Sequence, residues 1–311
     1  MDTKGLAVLA LYKVIRIKDK DRLWRDVERL AHKEGLLGTI FVTSQGINGT
    51  LSGNKDSLLR LFYLLNDKYD LLIEKYNWSY VKKAPFKRLK VKKRQKLLPL
   101  KGDFNLYKER GKHVEPEDWN ELIQNKETLL IDVRNDYESE IGTFKDSLIS
   151  NTVNFVEFPD YIESLGEDLK EKKIAMFCTG GIRCEIASSY LINNGFKEVN
   201  QLKGGVLNYL DKIDKEDQLW EGDCFVFDER VSVDHYLEEG SFVQCFGCRR
   251  PLSTEDTKSK EYVRGISCSY CHEESSESDK DRFAQRQRQI DLSEERGTKH
   301  MGVSQKKLKD V

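Results

Sequence analysis

The sequence lacks any apolar run that approaches the roughly 20 residues needed to span a bilayer, so we expect no contact with a membrane. Its first residues lack the charged and then apolar layout of a signal peptide. A disulfide framework is also missing, because four of the seven cysteines fall in two Cys-x2-Cys pairs and a fifth lies in a glycine-rich turn. No flavin-binding or nicotinamide-binding motif is present. These absences predict a cytoplasmic protein with reduced thiols.

The chain is long and rich in charged residues. Its 311 residues are enough for two or three domains, since about 100–200 residues per domain is usual. The net charge of −1 hides a strong segregation. Residues 76–101 contain ten Lys or Arg and no acid, whereas residues 211–239 contain eleven acids and three bases. The first region is suited to binding a polyanion and the second is not.

The most informative stretch is Cys178–Cys184, which reads Cys-Thr-Gly-Gly-Ile-Arg-Cys. Residues 173–177 before it predict a buried strand, and residues 185–192 after it have the apolar spacing of a helix. The N–H groups of such a turn converge in front of the sulfur, and the helix N-terminus behind them favours a thiolate. Arg183 adds a cation. We therefore interpret Cys178 and Arg183 as catalytic; the alternative is a turn with a buried cysteine. The predicted anion-binding residues of the loop are Thr179, Gly180, Gly181 and Ile182.

The first hundred residues predict an α+β module. Strands are expected at residues 6–12, 37–43 and 46–53, helices at 21–34 and 54–66, and a last strand near 78–81 or 86–91. This βαββαβ order predicts a ferredoxin-like fold for residues 1–97.

A dense basic run follows within the same module. Residues 82–96 carry nine cations, and the alternation from Arg88 to Lys92 predicts a strand with one basic face. A single-sign run repels itself without a polyanion, which favours nucleic acid over a solvated face or a membrane surface. The candidate RNA contacts in this run are Lys87, Arg88, Lys90, Lys92 and Lys93.

Residues 98–115 are expected to connect this module to a second one over residues 116–222. Strands alternate there with helices, which predicts a doubly wound parallel sheet with its site at the C-terminal ends of the strands. Cys178 lies at such an end. Asp132 and Arg134 close another predicted strand, and we expect a buried ion pair that supports the loop rather than direct chemistry.

The C-terminal part, residues 223–275, carries Cys245-x2-Cys248 and Cys268-x2-Cys271 with 19 residues between the pairs. That spacing suits one structural Zn²⁺ with four thiolate ligands, and a redox Cys-x2-Cys is the weaker alternative. Residues 276–311 predict a charged surface helix and a disordered tail. The remaining cysteines, Cys184 and Cys224, are expected to pack in the core, although Cys184 could also act as a resolving thiol.

Several of these motifs together resemble a known family. Asp132–Glu138, Cys178–Cys184 and Gly204–Gly205 resemble a rhodanese domain with a loop of sulfurtransferase size. With Gly46–Thr50 and Phe225–Arg230 added, the layout over roughly residues 5–272 resembles the bacterial rhodanese-domain tRNA uridine-34 hydroxylases. The resemblance implies oxygen-dependent hydroxylation of the wobble uridine U34 to 5-hydroxyuridine, with molecular oxygen as co-substrate, tRNA as partner and Cys178 as the essential residue. It also places Asn48, within Gly46–Thr50, on the substrate side.

Two other functions stay open at this point. A sulfurtransferase would use Cys178 to carry a persulfide, and it shares the nucleophile and the anion-binding loop. The basic run discriminates between the two, because thiosulfate transfer does not require it. An RNA-binding adaptor with a degenerate rhodanese module is a third reading, and the intact Cys178 loop opposes it.

Overall fold

The computed structural model describes residues 5–102 and 104–298. Its N-terminal module is a five-stranded sheet with two helices on one face. The elements are β1 (Leu6–Val14), α1 (Lys20–Lys33), β2 (Leu37–Thr43), β3 (Gly46–Gly53), α2 (Lys55–Tyr63), β4 (Lys75–Val81) and β5 (Leu89–Lys93). The strand order is β4-β1-β3-β2-β5. The predicted ferredoxin-like fold is confirmed. Both candidates for the last strand form, since β4 closes the motif and β5 adds an edge strand parallel to β2.

Apolar and polar side chains alternate along the strands of this sheet, and the helices cover the apolar face. Leu9 and Leu11 of β1 and Ile40 of β2 are buried and pack against Leu23 of α1 and Leu58 of α2. Apolar side chains at every second position thus bind the helices. The other face carries the intervening side chains, which are more polar.

Five of those intervening side chains form one row across all five strands. The register pairs Lys92 with Phe41, Phe41 with Asn48, Asn48 with Tyr12 and Tyr12 with Lys75. Directly paired residues share a face of a sheet. Because neighbouring strands lie about 4.8 Å apart, the row is about 19 Å long. It leads from the basic edge strand to the strands that contact the second module.

The second module is a parallel sheet with the order β6-β11-β10-β7-β9. Helices cover both faces, as predicted for a doubly wound sheet. Strand β6 lies inside the stretch predicted as a connector. The elements are β6 (Lys112–Val114), α3 (Pro116–Gln124), β7 (Thr128–Asp132), α4 (Asp136–Ser139), β8 (Gly142–Phe144), β9 (Leu148–Ile149), α5 (Phe158–Ser164), β10 (Lys173–Phe177), α6 (Ile182–Asn193), β11 (Glu198–Leu202) and α7 (Gly205–Lys212).

The C-terminal part has little regular structure apart from one long helix. Strand β12 pairs with β8 of the second module, and two short hairpins follow. The elements are β12 (Trp220–Gly222), β13 (Cys224–Phe225), β14 (Ser232–Val233), β15 (Val243–Gln244), β16 (Pro251–Leu252) and α8 (Glu277–Glu295). The predicted disordered tail lies mostly beyond residue 298, outside the described residues. Within the described part, no helix has the length and apolarity needed to cross a bilayer.

Candidate active site

The Cys178 loop joins the end of β10 to the start of α6. Gly181 has a φ of +97°, a left-handed conformation that glycine adopts without strain, and its N–H donates to Cys178 Sγ at 3.1 Å. The N-terminus of α7 supports the loop from below, because the N–H of Val206 donates to the carbonyl of Cys178 at 3.0 Å. A Cβ at Gly205 would lie 2.4 Å from that carbonyl oxygen. The backbone of α7 and the turn at Gly181 therefore fix the position of the sulfur.

The pKa of the Cys178 thiol is lowered, which favours the thiolate near neutral pH. Burial by itself raises the pKa of this thiol, but a hydrogen bond from the Cys184 thiol, the charge of Arg183 and the amides of Cys184 and Gly181 lower it to about 6. The same contact and burial raise the pKa of Cys184 well above its ordinary value. A loop that stabilises one thiolate and keeps the second thiol protonated supplies one nucleophile. Cys184 is buried in the core, as is Cys224.

The side chain of Arg183 pairs with Glu138. Its two terminal nitrogens donate to the two carboxylate oxygens at 2.5 and 2.7 Å, and Thr179 Oγ1 donates to Glu138 Oε2 at 3.2 Å. The side chain of Arg183 is thus committed to this buried pair, and its charge acts on Cys178 from beside the loop. Sequence reasoning did not select Glu138 as a site residue. A buried guanidinium needs a carboxylate partner, and this rule could have prompted a search for the partner of Arg183.

Asp132 and Arg134 form a second ion pair, and both are fully buried. Arg134 Nη2 donates to Asp132 Oδ2 at 2.6 Å and to the carbonyl of Gly142 at 2.6 Å. Its Nη1 donates to the carbonyl of Glu138 at 3.2 Å. The pair therefore braces the backbone that carries the partner of Arg183, which is a supporting role for the loop.

The N-terminal module meets the loop through Tyr12. The Tyr12 hydroxyl would lie 2.7 Å from a Cβ added at Gly181, and it donates to Glu185 Oε1 at 3.3 Å. Glu185 is on the first turn of α6 and is fully buried. Three cationic or titratable side chains surround its carboxylate: Lys75, Arg110 at 3.2 Å and His113 at 2.9 Å. Sequence reasoning missed this cluster, because its members are distant in the chain and belong to no motif.

A polar cavity lies beside this contact between the two modules. It has a volume of about 460 Å³ and its lining includes Lys13, Lys75, Arg110 and Glu185. Burial alone raises the pKa of Glu185, but a hydrogen bond from His113 and the charge of Lys75 lower it to about 2. The buried carboxylate is therefore ionised at neutral pH and attracts cations from both modules.

The candidate RNA contacts separate into paired and unpaired cations. Lys87 pairs with Glu229 at 2.9 Å, and Lys93 turns to the helix face and pairs with Asp21 at 2.6 Å. Among the described residues, Arg88, Lys90 and Lys92 have no carboxylate partner. Burial lowers the pKa of Lys90, and the neighbouring charges of Arg88 and Lys92 lower it further. Asn48 lies half-buried in the row between Phe41 and Tyr12.

The four C-terminal cysteines converge on one point. The sulfurs of Cys245, Cys248, Cys268 and Cys271 all lie within 4.8 Å of one another, and three of the separations are 3.7, 3.8 and 3.9 Å. Tetrahedral zinc with Zn–S bonds of about 2.3 Å gives sulfur separations of about 3.8 Å. The donor set and its spacing therefore fit a structural zinc. Arg250, at the end of the first knuckle, binds Asp136 at 2.5 Å and joins this cluster to α4.

We expect purified protein to contain about one zinc per chain, and Cys268→Ser to lose it. Removal should loosen the C-terminal part without abolishing alkylation of Cys178, because the hydrogen bonds that hold Cys178 come from Gly181 and Val206. Elemental analysis and alkylation kinetics measure the two effects. Cys184→Ser, in the same chain but outside the cluster, is the control and should keep its zinc. Metal-free protein with four freely titrating thiols at these positions would contradict the prediction.

Comparison with protein families matches both modules. A model described as the UPF0176 acylphosphatase-like domain matches residues 6–97, and a rhodanese-like domain model matches residues 115–212. Together they cover more than half of the chain, in the order that the sequence motifs indicated. The chain belongs to the UPF0176 family. In this UPF0176 protein the rhodanese-like match spans Cys178 and its support, whereas the N-terminal match spans the row from Lys92 to Lys75.

Three solved structures similar to this UPF0176 chain each cover about a third of it. A rhodanese-like domain from Anabaena sp. has 19% identity over 35% of this chain and 78% of its own, with a TM-score of 0.30. A rhodanese-like domain protein from Staphylococcus aureus has 24% identity over 32% and 90%, with a TM-score of 0.27. The polysulfide-sulfur transferase homodimer of Wolinella succinogenes has 25% identity over 33% and 74%, with a TM-score of 0.28. Scores this low carry no argument about function.

Proposed function

We propose that this protein is a tRNA-modifying enzyme that hydroxylates C5 of the wobble uridine U34 to 5-hydroxyuridine with molecular oxygen. The observation that carries the proposal is the junction at Tyr12. The side-chain row on the N-terminal sheet meets the Cys178 loop at Tyr12, next to its end at Lys75, and its other end is Lys92, which has no carboxylate partner within residues 5–102 and 104–298. A thiolate nucleophile thus lies at the end of a surface suited to a polyanion.

The composition of that row supports single-stranded RNA as the ligand. Lys92 supplies a charge for phosphate, Phe41 an aromatic face and Asn48 a hydrogen-bonding amide. Open sheets that bind loops of RNA use aromatic and polar side chains of this kind, and basic side chains follow the backbone. A wobble nucleotide in an anticodon loop is already outside a duplex, so it can leave the stack at low cost.

The proposed chemistry starts from the Cys178 thiolate as nucleophile. Addition of Cys178 Sγ to C6 of uracil breaks the C5=C6 double bond and gives an enolate with a nucleophilic C5. Oxygen then adds at C5 and gives a hydroperoxide after protonation. We assign its reduction to an external thiol reductant, whose two electrons release one oxygen atom as water. Loss of the C5 proton and of the Cys178 thiolate restores the double bond and leaves 5-hydroxyuridine.

The direct test is to incubate the purified protein with tRNA carrying U34, oxygen and a thiol reductant, and to analyse the nucleosides by mass spectrometry. We expect 5-hydroxyuridine at position 34 and none without oxygen. A sulfurtransferase would instead form a Cys178 persulfide from thiosulfate and release thiocyanate with cyanide. That result, with no change in the tRNA, would overturn the proposal.

The paired and unpaired cations provide matched variants for the RNA side of this test. Changing Arg88, Lys90 and Lys92 to glutamine should lower the log–log salt slope of tRNA binding by about 2 to 3, since each lost phosphate contact removes about 0.7–0.9. Changing Lys87 and Lys93 to glutamine should alter the slope less, because Glu229 and Asp21 already neutralise them. Equal slopes for the two variants would mean that the basic strand is a solvated face.

A further inference from the structure

An exposed aromatic side chain lies beside the Cys178 loop and has no role in the fold's core. Phe227 follows β13 in the C-terminal part, and 63% of its surface is exposed. Its ring centroid is 5.8 Å from the guanidinium carbon of Arg183. Aromatic side chains line many ligand sites, so an exposed ring beside Arg183 of the Cys178 loop is available to contact a ligand.

The ring is held firmly in spite of its exposure. It packs edge-on against Phe225 at 5.1 Å, and Phe225 packs edge-on against Tyr137 at 5.3 Å. The next residues are also fixed, because Arg230 forms a two-pronged ion pair with Asp228. A ring presented on such support loses little conformational freedom when it binds a ligand.

The same segment is tied to the RNA-side module. The N–H of Glu229 donates to the carbonyl of Pro85 at 2.9 Å, and its carboxylate pairs with Lys87. The segment from Phe227 to Glu229 therefore contacts both the basic region, through Glu229, and Arg183 of the Cys178 loop, through Phe227. The segment thus connects the basic run, where we expect phosphates to bind, with the Cys178 loop, where we expect the base to react.

The two glycines of the loop differ in how open their surroundings are. Cys178 is 1% exposed, and Tyr12 covers the loop at Gly181. A Cβ added at Gly180 would meet nothing within 4 Å, so the loop faces open space at that residue. Gly180, rather than Gly181, is thus the open side of the loop.

We propose that Phe227 is a base-stacking residue that holds the extruded uracil over the Cys178 loop. This inference rests on the proposed function and names the residue that positions its substrate. Enzymes that act on a single base commonly stack it against aromatic side chains, and such stacking is tolerant of base identity. Phe227 would then position C6 of the base near Sγ, and sequence selection would come from other contacts.

The experiment measures binding of two anticodon stem-loops to the full protein, one with uridine at position 34 and one with an abasic site there. Phe227→Leu should bind the uridine stem-loop about tenfold more weakly than wild type, in keeping with stacking losses measured by truncation. It should bind the abasic stem-loop as wild type does. Phe227→Trp should restore binding of the uridine stem-loop, because indole also stacks.

Tyr236 provides the matched control. It is also 63% exposed and also lies in the C-terminal part, but the cation over its ring belongs to Lys215, away from the Cys178 loop. Tyr236→Leu should bind both stem-loops as wild type does. An equal loss for Phe227→Leu on both stem-loops would show a structural role and overturn the inference. The inference is independent of product formation in this test, so absence of 5-hydroxyuridine would count against the proposed function alone.

Discussion

Replacing Cys178 with serine is expected to abolish the C5 chemistry, by at least about a thousandfold, while tRNA affinity stays unchanged. The reason is that the loop lowers the pKa of a thiol to about 6, whereas a serine hydroxyl in the same loop remains protonated at neutral pH. The proposed phosphate contacts are on the N-terminal sheet and do not involve the sulfur. Nucleoside analysis and binding measurements on the same preparation separate the two effects.

Hydrogen exchange at C5 reports the addition step without oxygen or a reductant. If Cys178 adds to C6, wild type should exchange the C5 hydrogen of U34 with deuterated water under anaerobic conditions, and Cys178→Ser should not. Cys184→Ser is the control, since its hydroxyl can still donate to Cys178, and it should exchange at a rate close to that of wild type. Exchange that persists in Cys178→Ser would overturn the nucleophilic mechanism.

The pH dependence of this step follows from the same thiol. Below the folded pKa of about 6 the sulfur is protonated and inert, so the rate should rise as pH increases through 6 and reach a plateau above 7. An ordinary cysteine would give a midpoint near pH 8.5. Alkylation of Cys178 by iodoacetamide should follow the same curve. A midpoint near 8.5 in both assays would show that the loop does not stabilise the thiolate.

Local signals in the sequence predicted much of the fold. Strands β2, β3 and β10 have their predicted bounds, because each coincides with a local run of strand-forming residues or a glycine-bounded segment. Helix α6 was also predicted, but it begins at Ile182, three residues before the predicted start at 185. The Cys178 loop could be recognised from its own residues. The two cysteine pairs could likewise be assigned from their spacing alone.

Contacts between distant segments could not be predicted in this way. Nothing local to Lys87 or Lys93 shows that Glu229 and Asp21 neutralise them, so the basic run was read as five equivalent cations. Arg183 was assigned to chemistry from its place in the loop. Its partner Glu138 is 45 residues away in the sequence, so the ion pair could not be foreseen. The register that aligns Phe41 with Tyr12 depends on two strand pairings, which composition and periodicity do not determine.

The buried carboxylate between the modules should matter most for stability. Glu185→Gln is expected to lower the free energy of unfolding by about 3–5 kcal/mol, the usual effect of removing one partner from a buried ion pair. The change leaves Lys75 and Arg110 close together without the charge that attracts them. It also weakens the acceptor of the Tyr12 hydroxyl, so the contact of the N-terminal module with the Cys178 loop should loosen.

Denaturant unfolding at several pH values measures this effect and fixes its sign. The pKa of Glu185 is lowered from 4.5 to about 2 in the folded protein, so its contribution is fully present above pH 4.5 and is lost as pH falls towards 2. The difference between wild type and Glu185→Gln should therefore shrink over that window. Above pH 5 it should be constant until other groups titrate.

Glu171→Gln is the matched control on the same module. Glu171 pairs with Lys197 at 2.5 Å, but both side chains are about two-thirds exposed. Exposed pairs contribute about 0–1 kcal/mol, because water screens them. We therefore expect Glu171→Gln to change the unfolding free energy by less than about 1 kcal/mol at any pH. If Glu185→Gln had an effect as small as this, water in the neighbouring cavity would have to solvate the Glu185 carboxylate, and the charges between the two modules would not hold them together.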